Sequence, residues 1–253
     1  MAEAVRGAAL VTGGVRRIGR ALVNACAEAG FDVAVHCRSV DDDAHAAAAD
    51  VRAKGRRATL LPCDLRQEAA VVALVRDAET ELGPVTLLVN CASVFEEDAL
   101  GSFNRASWDA HMETNLRAPL VLAQHFARRL PADREGQIVN ILDQRVWNPG
   151  PDFFSYTLSK AALWEATRMA ALALAPRIRV NAIGPGPTLP SIHQTDADFA
   201  READATPLRR AVSPAEIAQA LTYLIDARSV TAQMIAVDGG QHLPARPQAP
   251  ERP

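Results

Sequence analysis

Ala8-Ala9-Leu10-Val11-Thr12-Gly13-Gly14-Val15-Arg16-Arg17-Ile18-Gly19 decides the fold of this 253-residue chain. Residues 8–12 make an apolar run of strand length, closed by the glycine pair. From Ile18 the apolar positions switch to Leu22, Ala25 and Cys26, a helical spacing, and Gly30 ends the run. Strand, tight turn and helix form the opening of a βαβ unit, and the same alternation continues along the chain. Further strands are expected at 33–37, 59–61, 85–90, 137–142, 178–181 and 234–237. Helices are expected from Asp41 to about Lys54, and over 67–82, 105–130, 156–175 and 214–226. The acids Asp41, Asp42 and Asp43 suit the N-terminus of their helix as a solvated capping turn. Pro119 should kink the long helix and free a carbonyl in the turn before it. These elements predict one α/β domain over 1–243, a doubly wound, seven-stranded parallel sheet with helices on both faces. Four prolines in 244–253 predict a disordered tail.

Composition narrows the function. With 49% hydrophobic and 23% charged residues the chain can bury a large core. No apolar stretch approaches 18 residues, so no membrane span is expected, and the N-terminus shows no signal-peptide pattern. A net charge of -3 gives no basic footprint for nucleic acid. Cys26, Cys37, Cys63 and Cys91 stand singly, without metal-binding spacing; they read as reduced thiols of a cytoplasmic protein. No metal is expected.

The turn after the first strand has the context that a dinucleotide pyrophosphate requires. Gly13 permits the tight turn, Gly19 allows close helix–strand packing, and the helix N-terminus presents amides and a positive dipole. Ile18 sits in the same loop. Arg17 cannot serve close backbone approach, but its guanidinium can add an anion contact beside the phosphates. At the end of the second strand stands His36-Cys37-Arg38-Ser39, with no acid to bind a ribose 2′-hydroxyl. Asp32 falls at the strand's start, the wrong end. Arg38, with Ser39 as hydroxyl donor, suits a 2′-phosphate, so NADP(H) is the expected cofactor.

Tyr156-Thr157-Leu158-Ser159-Lys160 places a phenol and an ammonium four residues apart on one helix face. The chain has only two tyrosines and two lysines, so the pairing carries weight. The ammonium should favour the phenolate and lower the tyrosine pKa, and lysine can also hold the nicotinamide ribose.

Glycine loop and Y-x-x-x-K together resemble the short-chain dehydrogenase/reductase superfamily from Ala8 to about Leu243. The resemblance includes Asn115 in Thr114-Asn115-Leu116, where the family's active-site asparagine lies in a kinked helix. It also takes in Pro185-Gly186 and the terminal Val237-Asp238-Gly239-Gly240. By the same likeness Asp64 and Leu65 follow the third strand near adenine, and Asn90-Cys91-Ala92-Ser93 passes the adenine ribose. The usual serine, 13 residues before the tyrosine, is replaced here by Asp143. An ionised carboxylate only accepts hydrogen bonds and would repel a developing alkoxide, which counts against ordinary carbonyl chemistry.

Arg17, Arg38-Ser39, Ser93 with Phe95, and Asp143 together resemble the pteridine reductase branch. That likeness implies a pterin ring lying between the nicotinamide and Phe95. It also implies contacts from Arg17, Ser93, Asp143 and Tyr156, and a substrate-side loop at Gly184-Pro185-Gly186-Pro187-Thr188-Leu189. The expected activity is NADPH-dependent reduction of a dihydropterin or dihydrofolate. Tyr156, polarised by Asp143 and Lys160, would supply or relay the proton, through water for the 5,6 bond. Asn115 would help hold the water chain behind Lys160. A homotetramer is implied as well, and 189–210 is expected as a substrate-covering loop with a short helical turn at 196–202. Two other readings stay open: a reductase of a 3-oxoacyl or sugar carbonyl, and a cofactor-binding regulator without turnover.

Overall fold

A computed structural model describes residues 6–191 and 194–243 of the chain; the proline-rich 244–253 lie outside the described residues. Seven parallel strands form one sheet: β1 (Ala8–Val11), β2 (Asp32–Cys37), β3 (Ala58–Pro62), β4 (Val85–Asn90), β5 (Gly136–Ile141), β6 (Ile178–Pro185) and β7 (Met234–Val237). Their spatial order is β3-β2-β1-β4-β5-β6-β7. The chain therefore reverses its winding between β1 and β4, and a crevice opens beyond the carboxyl ends of those strands.

Helices cover both faces, as parallel strands buried on two sides require. One layer holds α1 (Arg17–Glu28), α2 (Asp42–Ala53) and α8 (Pro214–Asp226), packed on Val33, Val35, Leu87 and Val89 through Leu22, Val51, Leu221 and Leu224. The opposite layer holds α3 (Glu68–Leu82), α5 (Ala118–Arg129) and α6 (Phe154–Leu174). There Leu74, Val75, Leu122 and the fully buried Phe126 pack on Leu10, Leu88 and Ile138. Each such aliphatic side chain contributes about 1.5–3 kcal/mol on burial.

The long helix expected over 105–130 is interrupted. α4 (Arg105–His111) passes into a π-helical turn, Met112–Arg117, before α5 begins. Pro119 has no N–H for the carbonyl of Asn115, four residues back, and its ring crowds that oxygen; the wider turn relieves the clash. β6 runs four residues past the expected 181, because Ala182–Pro185 pair in register with Met234–Val237. Gly184 and Pro185 hid that continuation, as strand interiors rarely hold them. In the substrate-side loop the expected turn at 196–202 is a helix, α7 (Asp196–Ala205), started by a Thr195/Asp198 capping box.

Candidate active site

The crevice at the switch point is a cleft of about 1130 Å³. Its floor is the glycine loop. Gly13 has φ +64, and a Cβ there would lie 2.8 Å from Ala92 Cα; a Cβ on Gly19 would lie 2.0 Å from the Gly13 carbonyl oxygen. Neither position accepts a side chain. The loop is braced by two side chains, Thr12 and His36. Thr12 Oγ1 accepts from the amides of Cys91 and Ala92, at 3.0 and 3.1 Å, joining the ends of β1 and β4. His36 Nδ1 accepts from Gly13 N at 3.1 Å while Nε2 faces the Cys63 carbonyl at 3.1 Å. The Gly13 amide can only donate, so the imidazole carries its proton on Nε2, and burial lowers its pKa. His36 thus shapes the loop as a neutral ring.

The first turn of α1 has no side-chain cap, so its amides are left for an anion. Arg16, Arg17, Arg38 and Arg66 line the cleft around that turn. Arg16 pairs with Asp41 at 2.6 Å and with Asp43, so the acidic cap of α2 also anchors the glycine loop. Asp64, held to about pKa 2 first by the Arg66 side chain, lies 3.9 Å from the Arg38 guanidinium. Exposed amides, a cationic cluster and a backbone-tight glycine turn form a donor set that fits a dinucleotide. Arg17 takes a left-handed conformation, φ 51, a backbone region that favours glycine. Its guanidinium donates to the carbonyls of Leu189 and Pro190, both at 3.0 Å. It ties the phosphate loop to the segment after β6.

At the far end of the cleft α6 presents Tyr156 and Lys160, and β5 ends at Asp143. The Tyr156 hydroxyl donates to Asp143 Oδ2 at 2.8 Å, and Asp143 Oδ1 accepts from Arg145 N at 2.8 Å, capping a 3-10 turn at Gln144–Val146. Burial is the first cause of every shift here: it raises Asp143 and Tyr156 and lowers Lys160 to about 8. The expected lowering of the tyrosine pKa is therefore corrected. The phenol faces a carboxylate in a dry wall, and both influences keep it protonated. Lys160 Nζ donates to the Ile141 carbonyl at 2.8 Å, 5.7 Å from the tyrosine ring centroid.

The cleft gathers Gly13, Arg17, Ile18, Gly19, His36, Arg38, Asp64, Leu65, Ala92, Ser93, Phe95, Asp143, Tyr156, Lys160, Pro185, Gly186 and Leu189. Three expected residues do not line it. Ser39 is exposed beyond the strand end. Asn90 is buried, donating to Asn140 at 2.8 Å. Asn115 sits in the π-turn, its amide taken up by Val94 and Ser159 and its carbonyl by Val94 N and the Ser93 hydroxyl. Its side chain thus clamps that loop to α6.

The short-chain dehydrogenase/reductase family model described as enoyl-(acyl carrier protein) reductase matches residues 13–242. The chain belongs to this superfamily. A solved structure similar to it is the NADP complex of the alternative dihydrofolate reductase FolM from Brucella suis. That chain is 48% identical, the match covers 96% of this chain and 98% of that one, and the TM-score is 0.92. A blue fluorescent protein from a metagenomic library, solved with NADPH, is 33% identical over 94% and 98% of the two chains, with a TM-score of 0.87. Among curated relatives, the 3-oxoacyl-(acyl-carrier-protein) reductase FabG of Staphylococcus epidermidis is 29% identical over 93% of this chain and 98% of its own.

In this short-chain reductase two wall residues escaped the sequence. Phe153, at φ 51 just before α6, stacks on Phe95 with ring centroids 4.2 Å apart and planes within 7°. Arg145 lies over the other side of this wall, 4.9 Å from the Phe153 centroid, and pairs with Asp152 at 3.3 Å. Phe95 meets Tyr156 edge-on at 4.7 Å. No motif marks these positions. An unusual D-F-F run just before the tyrosine is the signal that was available.

Proposed function

We propose that this reductase uses NADPH to reduce a dihydropterin or dihydrofolate to the tetrahydro form. The observation that carries the reading is the 2.8 Å hydrogen bond from the Tyr156 hydroxyl to Asp143, where a carbonyl reductase would hold a serine donor. A carboxylate cannot donate to a developing alkoxide, but it can hold and pass a proton required at a ring nitrogen. Likeness to the alternative dihydrofolate reductase of Brucella suis supports the same substrate class.

In this reading the glycine loop and the first turn of α1 hold the pyrophosphate, with Arg17 beside it. Arg38 holds the 2′-phosphate and Lys160 the nicotinamide ribose, and Asp64, Leu65, Ala92 and Ser93 flank the adenosine half. The nicotinamide, when bound, supplies the hydride. Tyr156 keeps its proton at the wall of the cleft, and Asp143, raised by burial, exchanges a proton with it. Lys160 fixes the end of β5 through the Ile141 carbonyl. Phe95 offers an apolar face for a flat heterocycle, with Leu189 opposite the glycine loop. The tetramer implied by family likeness fits the exposed Met169 and Leu172 on one stripe of α6, 64% and 84% accessible.

The test is an NADPH-oxidation assay against dihydropterins, dihydrofolate, 3-oxoacyl thioesters and simple ketones. Turnover of a dihydropterin well above every carbonyl supports the reading. Carbonyl turnover alone would replace it with the 3-oxoacyl reading, which the FabG relatives favour.

A further inference from the structure

The segment from Ser93 to Asp98 leaves β4, carries Phe95, and is held on both sides of that ring. On one side Asn115 grips residue 94 by both backbone groups: Oδ1 accepts from Val94 N at 2.8 Å and Nδ2 donates to its carbonyl at 2.9 Å. The same amide donates to Ser159 Oγ at 3.1 Å. On the other side His111 Nε2 accepts from Glu96 N at 3.2 Å, and its Nδ1 lies 2.7 Å from Ser155 Oγ. His111 and Asn115 are four residues apart, as are Ser155 and Ser159 on α6. Two rungs therefore run from the Phe95 segment to the catalytic helix, ending one residue before Tyr156 and one before Lys160.

The second rung is a Ser, His and Asp set, but its protons run in the wrong direction for a nucleophile. The Glu96 amide can only donate, so Nε2 is unprotonated and the neutral ring carries its proton on Nδ1, which donates to Ser155 Oγ. The serine proton in turn goes to Asp98 Oδ2, which also accepts from Ser107 Oγ at 3.0 Å, while Asp98 Oδ1 accepts from Ser155 N at 2.9 Å. The imidazole cannot take the serine proton, and His111 and Ser155 are wholly buried. At its two ends the chain holds backbone, the Glu96 amide through His111 and the Ser155 amide through Asp98.

We propose that His111 is a positioning residue for the reduction: its unprotonated Nε2 fixes the Glu96 amide, and with it the Phe95 ring against Tyr156, until protonation of the imidazole releases the segment. The geometry couples the parts closely. The His111 ring is 6.0 Å from Tyr156, edge-on, and the Tyr156 ring meets Phe95 at 4.7 Å. A protonated Nε2 would point its N–H at the Glu96 N–H, so that rung opens while the Asn115 rung, which holds no titratable group, stays closed. The groups facing the ring are Asp98 and Glu96 from the segment, Lys160, Tyr156 and Ser155 from α6, and the Ser107 carbonyl of its own helix. Asp98 and Glu96 favour the imidazolium, Lys160 opposes it, and burial, the first cause, keeps the ring neutral below its ordinary range. Phe95 as the face of a pterin site rests on the proposed function; the clamp itself does not.

The experiment combines hydrogen exchange of residues 95–98, the part held by His111 and not by Asn115, corrected for intrinsic rates, with steady-state kinetics of the full chain. It compares the native protein with His111→Gln, whose carboxamide oxygen can replace Nε2 as acceptor without titrating, and His111→Phe, which has no acceptor. Expected is a segment protected in the native protein at neutral pH and open at an acid pH below the ordinary imidazole range, where a ring with a lowered pKa charges. It should be protected at both pH values in His111→Gln and open at both in His111→Phe. For a dihydropterin, KM should rise about tenfold in His111→Phe, the upper end for one hydrogen bond, with a smaller change in kcat and none in KM for NADPH. An acid opening that persists in His111→Gln, or a KM that stays level while the segment opens, overturns the proposal. If His111→Phe does not fold, the presence or absence of acid opening in His111→Gln decides. Native protein that opens on schedule but does not turn over any dihydropterin would sink the functional reading and leave the clamp standing.

Discussion

Replacing Asp143 by serine changes one atom set with two opposed consequences. The carboxylate accepts from Tyr156 at 2.8 Å and from Arg145 N at 2.8 Å. A serine hydroxyl at the N-cap can still accept from Arg145 N, so the turn at Gln144–Val146 keeps its cap. The bond from Tyr156 to a charged acceptor is lost, and such bonds contribute about 1.5–3 kcal/mol, or roughly 10- to 150-fold in rate if made in the transition state. Loss of an acid–base group costs about 10² to 10⁴-fold. Dihydropterin turnover in Asp143→Ser should therefore fall about 10²-fold or more. The phenol responds in the other direction. Asp143 raises the Tyr156 pKa by its charge and its hydrogen bond, so without it the proton leaves the phenol more easily. The new hydroxyl also restores the donor used by carbonyl reductases. Ketone reduction should stay level or rise. The assay is NADPH absorbance with a dihydropterin and a ketone in parallel, with Tyr156→Phe as the control that abolishes both. A serine variant that reduces dihydropterins as fast as the parent would refute the proton role of Asp143 and leave family likeness without a mechanism.

Arg38→Ala should cut the preference for NADPH over NADH about tenfold or more, the scale of one charge-assisted contact, while NADH turnover stays nearly intact; the ratio of kcat/KM values reads it. Lys160, lowered from 10.5 to about 8 by burial, loses its charge as pH rises through about 8, so kcat/KM should fall along an alkaline limb there. Stability should move the opposite way. Between about 8 and 10.5 the unfolded chain binds the lysine proton that the folded one has released, so this residue's contribution rises with pH, as denaturant titrations would show. Asn140→Ala should cost about 1–3 kcal/mol, or roughly 3–10 °C in Tm. It strands the Asn90 amide and removes the Asn140 donor to Thr167 in the buried chain between β4, β5 and α6.

The alternation of strands and helices was legible because β-strand and helix periods differ, and six of the seven strands lie within about two residues of their expected ends. That Tyr156 and Lys160 share the cleft was legible because lysine and tyrosine are so scarce here that the pair stands out. What the sequence could not convey were effects set by packing. Tyr156 looked like a phenol beside an ammonium, whereas in the folded chain its partner is the Asp143 carboxylate and burial dominates. The clamp that the Asn115 side chain places between Val94 and Ser159 depends on the π-turn and on the approach of α6, and no motif spells it out. Phe153 and Arg145 belong to no pattern of period or spacing. Their wall forms only when the turn after β5 and the start of α6 meet the loop after β4.

The reversal of winding between β1 and β4 divides the labour of the protein along its length. Residues before β4 supply Gly13, Arg16, His36, Arg38 and Asp64 to the cleft; residues from Ser93 onward supply Phe95, Asp143, Tyr156 and Lys160. The glycine-loop end of the cleft and its Tyr156 end are thus inherited on separate stretches of chain. Either can be exchanged by recombination or drift while the other is kept. Arg17 crosses that boundary, since its guanidinium grips the carbonyls of Leu189 and Pro190 from the first half of the molecule. A lineage that exchanges one half must therefore keep this arginine, or replace the grip, for the two halves to remain in step.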